Sequence, residues 1–233
     1  MKTAIMQPYF LPYLGYFQLI GAVDKFIIYD DVNFINKGWV NRNKILINGE
    51  PTLITVPLIK ASQNKKINEI QVLNEDKWKK KLIRTIEMSY KKAPYYNEIR
   101  RMFITILESD TKMISQLNIA FIIEVCSYLE LNTEIKKSSS TYNNSELNSQ
   151  ERILDICKKE NTKTYLNPIG GIEIYNRELF EESDIKIHFL KHISKPYNQI
   201  TEKFVPFLSI LDILMYCHPE EIKNELLPNF ELH

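Results

Sequence analysis

Two short β-rich runs, TAIM (3–6) and KFIIYDD (25–31), flank the stretch LPYLGYFQLIGAVD (11–24). Within that stretch Leu14, Phe17, Leu19, Ile20 and Val23 fall on one helical side. A strand, a proline-bearing loop, a helix and a second strand predict the opening of a parallel βαβ unit. The fold class that follows is α/β, with a nucleotide-binding-type (Rossmann-like) sheet near the N-terminus.

Further along, WVNRNKILINGEPTLITVPLI (39–59) sets two β-rich runs about Asn48-Gly49, a hairpin signal. INEIQVL (67–73) reads as another strand. From Asp76 the character changes: Trp78, Leu82 and Ile86 recur at helical spacing up to Pro94. Helices are also expected over about 95–109 and 110–131. TEIKKSSST (133–141) reads as a strand entering a loop, followed by a capped helix over Ser149–Lys159, a turn at NPIGG (167–171) and a short helix near 177–182. A strand IKIHFL (185–190) and a helical region from Ser209 complete the reading. Strands at both ends with helices between predict a single α/β domain over 1–233, carrying a helical subdomain at about 76–131 and a helical C-terminal region.

With 233 residues and 44% hydrophobic content, the chain is long enough for a substantial core. Thirty Lys+Arg against 29 Asp+Glu leave a net charge of +1, so bulk charge gives no reason to expect DNA as a partner. Glycine is scarce at six residues, and neither GxGxxG nor GxxxxGK[ST] occurs. Cys126, Cys157 and Cys217 sit singly in apolar helical contexts and read as buried thiols of a reducing cytoplasm. They lack paired spacing, so no metal site is expected. The N-terminus is too short in apolar residues for a signal peptide, and IAFIIEVCSYL (119–129) is too short to span a bilayer.

Ligands of open α/β sheets gather at the carboxyl ends of the strands. QPYFLPYLG (7–15) takes the place after the first strand: Pro8 and Pro12 stiffen it, Gly15 permits close approach, and Tyr9, Tyr13 and Tyr16 offer rings for stacking. The same tyrosines could simply pack the sheet. Gln7 opens the segment. YLGY (13–16) echoes the HxGH tetrad of nucleotidylyltransferases with tyrosine in place of both histidines. Asp30 and Asp31 close the second strand, where one could bond backbone and the other act as a base. NKGWVNRNK (36–44) gathers Lys37, Trp39, Asn41, Arg42 and Lys44, a mix suited to a phosphate on a flat ring or to a charge-protected edge strand. Asn167 and Gly170 belong to the NPIGG turn, which presents N–H groups to an anion or merely reverses the chain. His188 and His192 share one strand face, and either imidazole could take a proton near neutral pH. Ser209 and Asp212 have the spacing of a capping box. Together these place one pocket between residues 7–16, 30–42 and the 165–171 turn.

QPYFLPYLGYF (7–17), DKFIIYDDVNF (24–34) and WVNRNKI (39–45) resemble the WbqC-like family of bacterial proteins, whose usual pattern runs close to HQPxYLPWLGYF, DDVQF and WxNRxxI. Met6 stands where many relatives carry histidine, and Asn33 replaces the common glutamine. SYKKAPYY (89–96), YLNPIGGIEIY (165–175), PYNQ (196–199) and FVPFLSILDILM (204–215) extend the resemblance over nearly the whole chain, bringing Tyr197 and Gln199 into the candidate set.

The resemblance implies a cytoplasmic protein of surface-polysaccharide (lipopolysaccharide, O-antigen) biosynthesis. The expected activity is a sugar-modifying transferase moving an acyl or aminoacyl group to a nucleotide-linked amino sugar. In that reading Tyr9, Tyr16 and Trp39 stack on flat groups, Lys37 and Arg42 hold phosphates, and Asp30, Asp31 or His188 removes the acceptor's proton. The partners would be a nucleotide-linked sugar and an activated acyl or aminoacyl donor; no cofactor is named by the sequence. The alternatives are an ATP-dependent ligase or nucleotidylyltransferase-like enzyme, and a non-catalytic binding partner of polysaccharide enzymes.

Overall fold

The computed structural model describes residues 1–233. Strand β1 (Lys2–Met6), helix α1 (Leu14–Gly21) and strand β2 (Lys25–Ile28) form the expected parallel unit, with Thr3 opposite Lys25 and Met6 opposite Ile28. The hairpin β3 (Arg42–Ile47) and β4 (Glu50–Thr55) turns at Asn48 and Gly49, both at positive φ (53° and 82°). That pair of left-handed residues matches the twist of the flanking strands.

The INEIQVL segment does not form a full strand. Ile67–Glu69 is a 3-10 turn, and only β6 (Gln71–Val72) pairs, with β5 (Leu58–Ile59). Helices α2 (Asp76–Tyr90), α3 (Tyr96–Leu107) and α4 (Ile114–Tyr128) follow, as their apolar spacing predicts. Then come β7 (Glu134–Lys136), α5 (Ser149–Lys159), β8 (Thr164–Pro168), α6 (Arg177–Glu181), β9 (Lys186–His192), α7 (Ile210–Tyr216) and β10 (Phe230–Leu232). β8 and β10 are additions to the sequence reading.

The main sheet has the order β10-β9-β8-β1-β2-β7. All neighbours are parallel except the edge pair β10 and β9. Alternation along the strands divides the core. Ala4, Phe26, Ile28, Leu166 and Leu190 join a cluster of 47 buried residues with α1, α4 and α7. Ile5, Ile27, Tyr165, Ile187 and Phe189 face the other way, onto Ile153, Ile156 and Cys157 of α5 and Phe180 of α6. A parallel sheet covered on both faces is the arrangement that its nearly unbroken apolar runs require. The chain leaves β1 towards β2 on one side and returns to β8 on the other, so the strand order reverses between β1 and β8. No helix is long and apolar enough to cross a membrane.

Candidate functional site

At that reversal, beyond the carboxyl ends of the strands, lies a crevice of about 400 Å3. Ligands of open α/β sheets occupy this position because the loops there diverge and leave a gap. Gln7 and Tyr9 after β1, Tyr29 after β2, Ile35, Ser149 at the start of α5, and Asn167, Gly170 and Gly171 after β8 contribute to its wall. Four segments distant in sequence thus meet as one site. A larger depression of about 470 Å3 lies between the β3–β4 hairpin and α2, but Ile47, Leu53, Trp78 and Lys81 line it, away from the sheet's strand ends.

The loop after β1 is held by its backbone. Tyr16 Oη donates to the Gln7 carbonyl at 2.9 Å and Asn118 Nδ2 to that of Pro8 at 2.9 Å. Asn43 Nδ2 donates to Phe10 and Leu11 at 3.1 and 2.7 Å, and Ser209 Oγ to Leu11 at 2.9 Å. The amides of Ile210 and Tyr16 take the carbonyls of Pro12 and Tyr13. Every carbonyl from Gln7 to Tyr13 except that of Tyr9 therefore has a donor, three of them from the buried amides Asn43 and Asn118. Such fixing lets Leu11 keep a left-handed φ of 44°. The side chains of Gln7, Tyr9 and Tyr13, by contrast, make no hydrogen bond within the chain.

Tyr9 forms a wall shared with a second, aromatic cleft of about 260 Å3, lined by Tyr9, Pro12, Tyr13, Trp39, Asn43 and Phe207. Trp39 and Phe207 are 42% and 63% exposed there, an uncommon density of bare ring surface. Burial raises the phenols of Tyr9 and Tyr13 above their ordinary pKa, so both stay neutral.

Tyr13 and Phe207 also line a further, small space of about 20 Å3, together with His192, Ser194 and Lys195. His192 stands edge-on to Tyr13 and Phe207, with ring centroids 5.5 and 5.7 Å away. Its Nδ1 lies 2.8 Å from Gln18 Oε1 and its Nε2 lies 3.1 Å from Ser194 Oγ. Burial lowers its pKa, favouring the neutral ring.

Several expected site residues are occupied elsewhere. Asp31 takes Arg152 Nη2 at 2.5 Å and also accepts from Ser139 Oγ. Asp30 accepts from Ser138 Oγ at 2.6 Å, and burial raises its pKa despite that bond. The two carboxylates thus hold the end of β2 to the 138–140 turn and α5, and neither lines the crevice. Arg42 donates Nε to the Gly38 carbonyl at 3.0 Å and Nη2 to that of Lys37, bracing the loop that carries Trp39. Its guanidinium is spent on backbone, and exposed Lys37 also lines neither cavity. Asn41 Nδ2 donates to Val56 O at 2.9 Å, since the strand begins only at Arg42 and residues 39–41 do not alternate as β.

Tyr16 is 3% exposed, packed against Phe26 and Phe17, so it cannot stack on a ligand. Gly15 makes room for a neighbouring ring instead of a ligand: a Cβ there would lie 2.4 Å from Tyr13. His188, half-buried opposite Leu166, lines neither cavity and its imidazole makes no hydrogen bond. Tyr197 and Gln199 serve buried Asp212, which accepts from Tyr197 Oη at 2.7 Å, Gln199 Nε2 at 3.0 Å and Tyr90 Oη at 2.8 Å. Ser209 does cap α7, through Leu211 N, but Asp212 turns to these partners in place of closing a capping box.

Of the expected set, Gln7, Tyr9, Asn167 and Gly170 line the crevice and Trp39 the aromatic cleft. Tyr29 and Phe207, inside the runs 24–34 and 204–215 but not singled out there, join the surroundings, as do Gln18 and Ser194, which no motif marks. Cys126, Cys157 and Cys217 are buried and free.

The chain is 32% identical over 216 residues to the uncharacterized protein Rv1507c of Mycobacterium tuberculosis, covering 91% of this chain and 92% of that one. No solved structure matches. The WbqC-like protein family model matches residues 7–224, which includes the fixed loop, the aromatic cleft, most of the crevice wall and the 138–152 anchor. The chain belongs to the WbqC-like protein family.

Proposed function

We propose that the joined clefts bind a nucleotide-linked sugar and that the protein transfers an acyl or aminoacyl group to it, in the making of a surface polysaccharide. The observation that carries this reading is that the switch-point crevice, with Gln7, Ser149 and Asn167 in its wall, lies across the shared Tyr9 from a cleft walled by Tyr9, Tyr13, Trp39 and Phe207. A nucleotide sugar has the matching division: a flat base for the rings, and a phosphorylated sugar rich in hydrogen-bonding groups.

Neither cavity wall contains lysine or arginine. The phosphates would be met by neutral donors: the Gln7 and Asn167 amides and the start of α5 at Ser149, whose dipole favours negative charge.

Thermal-shift measurement with nucleotide sugars, ATP and coenzyme A tests the reading. A bound nucleotide sugar at a hundredfold excess over its Kd should stabilise the fold by about 2.7 kcal/mol. Stabilisation by ATP alone would point to ligase or nucleotidylyl chemistry; no shift with any of them would point to a non-catalytic partner.

A further inference from the structure

The side chains of Gln18, His192 and Ser194 form a directed hydrogen-bond chain beside the aromatic cleft, across Tyr13 and Phe207. Gln18 Nε2 donates to the carbonyls of Leu226 and Asn229 at 2.8 and 3.0 Å, which uses both its N–H bonds and fixes the amide's orientation. Its Oε1 therefore faces His192, 2.8 Å from Nδ1, and can only accept. The proton of the neutral imidazole must then sit on Nδ1. Nε2 is left with a lone pair, and the Ser194 hydroxyl at 3.1 Å is its donor.

We infer that Ser194 is a nucleophile that carries the acyl group as a covalent ester, with His192 as its base and Gln18 as the positioning residue. This deepens the transferase reading and rests on it for the acceptor. The arrangement is a hydroxyl, an imidazole and an orienting side chain in series, and a neutral amide in the third place still sets the tautomer that proton removal requires. The alternative, a histidine merely satisfied in the core, does not account for the adjoining cleft. Ser194 is half-buried and lines that small space with Tyr13 and Phe207, rings that also wall the aromatic cleft. The space, about 20 Å3, is near the size that holds one water, so it admits the carbonyl end of a small acyl group and little more. The donor is accordingly a short-chain acyl thioester or activated ester, its bulky leaving group lying outside in the cleft. The backbone N–H groups of Ser194 and Lys195 have no partner within the chain and are the nearest donors in sequence for the carbonyl oxygen.

In the first step the Ser194 Oγ–H bond breaks as Oγ bonds to the acyl carbon, and the proton passes to His192 Nε2. The tetrahedral adduct expels the leaving group, which takes that proton, leaving an ester on Ser194 and a neutral imidazole. In the second step the sugar's amine or hydroxyl attacks the ester carbon, its proton going to His192 Nε2 and from there to the departing Oγ.

p-Nitrophenyl acetate, followed by peptide mass mapping, tests this without any sugar. The expected result is acetylation at Ser194 at least tenfold faster than at Ser62, a serine of the same half-buried class, abolished in Ser194→Ala and slowed at least tenfold in His192→Gln with its Tm unchanged. Acetylation of Ser194 no faster than of Ser62 in the folded parent protein would overturn the proposal. So would unaltered labelling of Ser194 in His192→Gln. Labelling at Ser194 without nucleotide-sugar binding would retain the nucleophile and remove the transferase reading, whereas binding without labelling would do the reverse.

Discussion

Arg152 and Asp31 meet at 2.5 Å with side chains only 5% and 6% exposed, across 121 residues of sequence. The guanidinium also reaches Asn144 Oδ1 at 3.0 Å and lies 5.0 Å from the Tyr29 ring centroid, so the pair supports one wall of the crevice. Removing one partner leaves the other charge buried. Asp31→Ala should therefore cost about 3–5 kcal/mol of stability. The double change Asp31→Leu with Arg152→Met should recover much of it. Urea unfolding of the three proteins measures this, and an unchanged midpoint for Asp31→Ala would show that the pair contributes nothing.

Arg42→Ala should behave as a loop variant. Its hydrogen bonds run to Gly38 and Lys37 carbonyls, and a partly exposed arginine so placed contributes about 1–2 kcal/mol. Any loss of ligand affinity should track loosening of Trp39 and persist at high salt. A loss that disappears with rising salt would mean that Arg42 meets a phosphate directly.

The two glycines after β8 should separate packing from access. A Cβ at Gly171 would sit 1.9 Å from Asn167 Nδ2, while one at Gly170 meets nothing within 4 Å. Gly171→Ala should cost about 1–3 kcal/mol by displacing Asn167. Gly170→Ala should leave the Tm nearly unaltered. Equal Tm losses for both would contradict this account of the turn.

Much of the architecture follows from local patterns, because the βαβ opening, the Asn48-Gly49 hairpin and the helices over 76–128 each depend on neighbours a few residues away. Contacts across the fold were the obscure part. Nothing near Asp31 announces Arg152, and the capping-box spacing of Asp212 conceals partners 122 and 15 residues distant. The histidines show the limit well. Alternation puts His188 and His192 on one face, yet only the register, with Leu166 opposite His188 and Pro168 opposite Leu190, places His192 past the part of β9 that pairs with β8, where only β10 accompanies it, and beside the cleft. β8 was hidden because its terminal Asn167-Pro168 reads as turn punctuation.

Acid should expose a second anchor. Burial alone would raise the Glu160 carboxyl, but Lys136, Lys25 and Tyr142 donate to it and hold its pKa at about 2, down from 4.5. A depressed carboxylate gives stability that is full above the unfolded value and lost as pH falls through the folded one. The parent protein should lose on the order of 1–3 kcal/mol between about pH 4.5 and pH 2 from this group, less whatever solvent screens at Lys136. Glu160→Gln should be less stable at neutral pH and show a flatter acid limb. Parallel limbs in a pH series of urea melts would assign the acid loss to other carboxylates.

Trp39 offers the most direct reading of the joined clefts. With Trp78→Phe as the background, Trp39 is the one remaining tryptophan, and a nucleotide base stacked on it should saturably quench emission excited selectively at tryptophan. Titration with uridine, guanosine and thymidine diphosphate sugars is predicted to give such quenching with at least one of them. Tyr9→Ala should weaken that binding by about five- to 150-fold, the equivalent of the roughly 1–3 kcal/mol contributed by one stacked base. Emission unchanged by every nucleotide sugar up to millimolar concentration, or quenching that Tyr9→Ala leaves untouched, would contradict the assignment of the joined clefts as the ligand site.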